Sequence, residues 1–123
     1  MKLSTHFAAL LWLTLAVFLL PSNAKAQEAW AEYDEDSETL TFKYGTEKPN
    51  TTEKLRVYAL NEGTSKPAWY GTVSMKKVVF DTSFDTLRPT TCYYWFGGQA
   101  GLEKIEGIEY LHTDSVTNME RMF

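Results

Sequence analysis

The sequence predicts an α+β chain that is mainly β: a β-rich N-terminal cap, a hairpin plus strands, leading into the first units of a repeat solenoid. Three observations carry that expectation. TLTFKY at 39–44 alternates strictly between apolar and polar residues, the signature of a half-buried strand. KLRVYAL at 54–60 alternates again after a loop rich in Gly, Pro and Asn. From Met75 onward the chain matches itself at a fixed offset of 27 residues.

The N-terminus comes first. Lys2 precedes an apolar run from Phe7 to Leu20, Pro21 breaks it, and Ala24-Lys25-Ala26 follows. A basic start, an apolar run of about 7–15 residues and an A-x-A site make a secretory signal peptide. The run is shorter than the roughly 20 residues of a membrane span. Cleavage after Ala26, with Ala24 and Ala26 at the site, leaves Gln27 as the mature start and no membrane span. The lone cysteine, Cys92, lies far from the cleavage site, so nothing there points to a lipid-modified terminus.

Removing 1–26 leaves about 97 residues and takes the formal charge from −4 to about −6. An acidic domain makes a poor nucleic-acid partner, since phosphate binding needs a basic face. One cysteine excludes an internal disulfide. A small exported domain without one needs stability from more chain or a partner.

Residues 27–74 form the expected cap. Leu40, Phe42 and Tyr44 share one face of TLTFKY, and a preceding strand centres on Trp30 to Tyr33, with DEDSE as the turn. In KLRVYAL, Leu55, Val57 and Ala59 alternate against Arg56 and Tyr58. Trp69 and Tyr70 read as core or cap aromatics.

Residues 75–123 form the expected repeats, two units with the second incomplete. Laying 75–96 over 102–123 sets Met75 on Leu102, Val78 on Ile105, Phe84 on Leu111, Cys92 on Met119, Trp95 on Met122 and Phe96 on Phe123. The period falls in the range of about 20–29 residues seen for leucine-rich repeats. Leu102 and Ile105 enter a short strand, Gly107 permits a turn, and Leu111 returns to the core. Val116, Met119, Met122 and Phe123 then follow at helical spacing, with Ser115 or Thr117 placed to cap. Such units bury their faces only by stacking. Met122 and Phe123 therefore read as the helical half of a repeat that lacks its neighbour, and the mature chain alone is expected to be marginal or self-associating.

VVFDTSF, then YYWF, then L-x-x-I-x-G-I-x-x-L-x-T-x-x-V-T-x-M-x-x-M-F resembles the BspA-type leucine-rich-repeat surface proteins of bacteria. The resemblance covers about 75–123 and is weaker over 29–70. Gln99 departs from it, standing where the family often has a small residue or Cys. The resemblance implies an exported, non-enzymatic binding and adhesion protein, secreted or at the cell surface. Its partner would be a host matrix protein or a bacterial surface protein, met through the repeat face, with no cofactor.

Other chemistry finds little support. Cys92 and His112 are the only such residues of the mature chain, with no third orienting group, and Cys92 sits at a core position. Asp81, Ser83 and Asp85 open like a calcium loop, but Thr86 replaces its Gly and Cys92 its Glu; turn capping accounts for them. Asp34-Glu35-Asp36 reads as a solvated hairpin tip. Asn50 heads a glycosylation sequon. Asp85-Thr86-Leu87 and Asp114-Ser115-Val116 are chance-prone tripeptides. No phosphate loop or metal-spaced Cys/His set occurs. Two further readings stay open: a small stand-alone secreted β-rich accessory or inhibitory module, and an exported hydrolase using Asp81 and Asp85.

Overall fold

The computed structural model describes residues 25–123. The apolar run and Ala24 lie outside the described residues; Ala26 is exposed. Strand β1 (Glu28–Asp34) and strand β2 (Thr39–Gly45) form the hairpin that the alternation foretells. Its tip is set by Asp34, whose carboxylate accepts the N–H groups of Asp36 at 2.9 Å and Ser37 at 3.2 Å. Strand β3 (Leu55–Ala59) pairs antiparallel with β1.

Strand β4 (Lys77–Phe80) joins the other side of β2, parallel, and strand β5 (Lys104–Glu106) joins β4, also parallel. The sheet order is β3-β1-β2-β4-β5. Among the described residues, helix is confined to 3-10 turns at Thr82–Thr86 and Ile108–Tyr110, about 8% of them.

This corrects the expected architecture. One open, mixed five-stranded sheet replaces the β-rich cap followed by a solenoid. The reason lies in β2, whose core-facing Leu40 and Phe42 stand in register beside Val78 and Phe80 of β4. Residues on both sides of position 75 therefore bury into one cluster, from Ala31 to Met122. Phe42 sits at its centre, within 4.7–6.1 Å, centroid to centroid, of Phe80, Phe84, Trp69, Trp95 and Phe96. Such contacts contribute about 0.5–1.5 kcal/mol each beyond simple burial.

The expected helix at 115–123 is absent. Its backbone is committed sideways instead: Thr117 N–H donates to Thr90 C=O, and the N–H groups of Cys92, Tyr94 and Phe96 donate to Asn118, Glu120 and Met122. Arg121, at φ 52, also breaks any helical path. Met122 remains buried, but Met119 is 48% and Phe123 73% exposed. Of the other residues read as core, Met75, Val78, Phe84, Cys92, Trp95 and Phe96 are buried, while Leu102, Ile105, Leu111 and Val116 are half-buried against them.

The 27-residue offset recurs as a pairing register. Lys77, Val78 and Val79 stand beside Lys104, Ile105 and Glu106, and Thr91 bridges to Asn118 in parallel. Gly107 lies so close to the Phe80 backbone that a Cβ there would sit 2.2 Å from the Phe80 carbonyl oxygen. Its left-handed φ of 72° starts the second 3-10 turn, which a side chain would obstruct.

The β3 alternation is the reverse of the simplest reading. Tyr58 stands beside buried Ala31, and Arg56 beside buried Tyr33, so these two share the core face. Val57 stands on the opposite face beside Glu32.

Candidate binding surface

The residues that could have carried chemistry are occupied structurally. Cys92 is fully buried, and burial pushes its thiol from 9.0 up to about 11, which leaves it protonated and unreactive at neutral pH. His112 Nε2 lies 2.6 Å from Asp85 Oδ1. Asp81 accepts the Ser83 N–H at 3.0 Å and caps the first 3-10 turn. Hydrogen bonds from the Ser83 side chain and backbone hold its carboxyl below the ordinary value. In the hairpin tip, Asp34 bonds the turn and Asp36 pairs with Lys54 at 3.2 Å. Among the described residues no group of His, Cys, Asp and Glu is arranged to hold a metal ion, and no helix is long and apolar enough to cross a membrane.

A surface of different character is built on three turns. Tyr70 N–H donates to Pro67 C=O, and Gly97 N–H, 27 residues on, donates to Tyr94 C=O. Thr72 and Gln99 repeat the relation toward Trp69 and Phe96. Gly71 and Gly98 both take φ 74, and Tyr94 and Arg121 take φ 58 and 52. Met122 N–H to Met119 C=O repeats Trp95 N–H to Cys92 C=O. The self-match from Met75 onward leaves out Trp69-Tyr70-Gly71, which already foreshadows Phe96-Gly97-Gly98.

Two tryptophans lock these turns. Trp69 Nε1 donates to the Trp95 carbonyl at 2.7 Å, and Trp95 Nε1 donates to Asn61 Oδ1 at 2.9 Å. Asn61 Nδ2 returns bonds to the Ser65 and Tyr93 carbonyls. Gln99 clamps the approach to β4, accepting the Met75 N–H at 2.9 Å and donating to Val73 C=O at 3.1 Å. That explains a polar residue at a site where the family resemblance anticipates a small one.

On the outside of this scaffold lie three half-buried tyrosines and two exposed cations. Tyr70 and Tyr94 meet edge to face at 5.1 Å, and Tyr93 meets Tyr94 at 4.6 Å. Lys66 Nζ stands 4.7 Å from the ring centres of both Tyr70 and Tyr94, and the Arg121 guanidinium 5.9 Å from Tyr94. Gly97 makes room: a Cβ there would lie 3.0 Å from the Tyr94 ring and from the Arg121 carbonyl.

Among the described residues, neither Lys66 nor Arg121 pairs with a carboxylate. Both are exposed, with the tyrosine rings as their near neighbours. A groove of about 390 Å³, lined by Phe96, Gly98, Gln99, Ala100, Leu102 and Phe123, adjoins Tyr70 at Gly98. In a groove of similar volume between β3 and the 87–91 segment, both cations are already matched, Lys48 with Glu28 and Arg88 with Asp114. Among the described residues, Glu62 is the one charge lining it without an ion pair. The tyrosine surface is therefore the better-equipped candidate.

Comparisons with protein-family models, curated proteins and solved structures give no match.

Proposed function

We propose that this chain is an exported, non-enzymatic binding protein of the BspA type, acting in secreted form or at the bacterial surface. Its partner is a host matrix protein or a surface protein of another cell. Contact is made by the tyrosine–cation surface of Lys66, Tyr70, Tyr93, Tyr94 and Arg121, rather than by a repeat face as the family resemblance implied. Of three left-handed non-glycine residues among those described, Glu38 at φ 50 closes the β1–β2 turn. The observation that carries this reading is the other two, Tyr94 at φ 58 and Arg121 at φ 52, which both fall on this surface. Bulky residues rarely accept that conformation, and backbone strain of this kind concentrates at functional sites. Tyrosine and arginine are also the side chains enriched at interface anchors.

Labelled protein, applied to a layer of decellularised extracellular matrix and separately to washed bacterial cells, should bind saturably to at least one. Absence of saturable binding to both contradicts the proposal. The single core running from Ala31 to Met122 favours a second reading, a compact β-rich accessory or inhibitory module. Binding to one soluble partner, with none to matrix or cells, would select it.

A further inference from the structure

The two edges of the sheet are treated differently. Outside β3, Thr51 and Thr52 cover the edge: Val57 N–H donates to Thr51 Oγ1 at 3.0 Å, Leu55 N–H to Thr52 Oγ1 at 3.1 Å, and Thr52 N–H to Leu55 C=O at 2.8 Å. A covered edge does not recruit another strand. Among the described residues, strand β5 has β4 on one side and no strand on the other. The N–H groups of Glu103 and Lys104 point at Lys76 C=O, so by strand alternation the Ile105 N–H and C=O face outward.

The charges beside that free pair are self-complementary. Lys104 and Glu106 flank Ile105, 2.9 Å apart, and Glu106 also reaches Lys77 at 3.1 Å. An antiparallel strand of the same sequence, centred on Ile105, sets Lys104 opposite Glu106 and Glu106 opposite Lys104. Both pairs are then attractive. The two Ile105 residues exchange two backbone bonds and lie side by side on the core face. The same segment presents the exposed large apolar residues of the described chain: Ile108 at 50%, Met119 at 48% and Phe123 at 73%. A two-fold axis along the sheet normal closes this end face on its own copy, a self-complementary contact.

We infer that β5 pairs antiparallel with β5 of a second copy about a two-fold axis at Ile105, joining two five-stranded sheets into one. The test is sedimentation velocity of the full chain, after whatever processing its host applies, over a concentration series. The wild type should form a reversible dimer. Lys104→Glu or Glu106→Lys alone sets like charges opposite each other twice and should weaken the dimer about tenfold or more. An equimolar mixture of the two variants should restore it, as should the double variant Lys104→Glu/Glu106→Lys. If Glu106→Lys loses its circular dichroism signal, Ile105→Pro, which removes the outward N–H, replaces it; a dimer that persists in this variant overturns the inference. A wild type that stays monomeric throughout, leaving the edge to some other partner, also overturns it. So does association that ignores the charge changes and is not restored by mixing.

Discussion

Gly107→Ala probes the closest approach between the two stacked segments. The added methyl faces two costs. At φ 72 an L-residue is strained, by about 1–2 kcal/mol. Its Cβ would also lie 2.2 Å from the Phe80 carbonyl oxygen and 3.2 Å from the Phe80 carbonyl carbon. Both are backbone atoms, so relief requires the β4–β5 register to open, which adds about 1–3 kcal/mol by the measure of overpacked cores. The sum, about 2–5 kcal/mol, is a large part of the roughly 5–15 kcal/mol that holds a small domain together. Gly71→Ala supplies the control, since its φ is 74 but nothing lies within 4 Å of the new Cβ. Urea unfolding followed by tryptophan fluorescence measures both. Gly107→Ala should lower the midpoint well beyond Gly71→Ala, with the denaturant slope unchanged, and should lower the melting temperature by about 10 °C or more. Equal losses in the two variants would refute the close-approach argument.

Further outcomes follow from single groups. Asn61→Ala leaves buried Trp95 Nε1 without its acceptor, and should cost about 1–3 kcal/mol; thermal unfolding checks it. Tyr94→Gly loses cation–π contacts with Lys66 and Arg121, about 0.5–1 kcal/mol each, and ring contacts with Tyr70 and Tyr93, about 0.5–1.5 kcal/mol each. It also relieves about 1–2 kcal/mol of strain at φ 58. The melting temperature should therefore fall by less than the lost contacts alone would lower it. Cys92 ionises near pH 9 when unfolded but near 11 when buried. The unfolded chain thus releases its proton first, and stability should fall by roughly 1–3 kcal/mol between those pH values. That slope should vanish in Cys92→Ala, and the native thiol should resist alkylation until the chain unfolds.

The hairpin was readable because Leu40, Phe42 and their neighbours obey a period of two, a local property. The face of β3 was misread because Tyr58 and Arg56 offer apolar bodies to the core while their polar ends reach out, Arg56 to Thr72 C=O at 3.1 Å and to Glu35. At 115–123 the apolar spacing imitates a helix. Lateral bonds to residues 90–96 outcompeted it, and no local pattern records such bonds. The offset of 27 was visible from side chains and reappears in backbone partners. The tyrosine surface was hidden, since Lys66, Tyr70, Tyr94 and Arg121 converge only once the three turns stack. The paired Gly71 and Gly98 were the signal that could have found it.

The proposal that the tyrosine–cation surface engages the partner is tested most directly with Tyr94→Gly/Arg121→Gly. Both substitutions delete the projecting groups where the backbone already suits glycine, so fold and function separate. Binding isotherms to decellularised matrix and to washed bacterial cells should weaken at least about tenfold relative to wild type, with the circular dichroism spectrum and cooperative unfolding retained. Affinity held within about twofold, with the fold intact, would contradict the account.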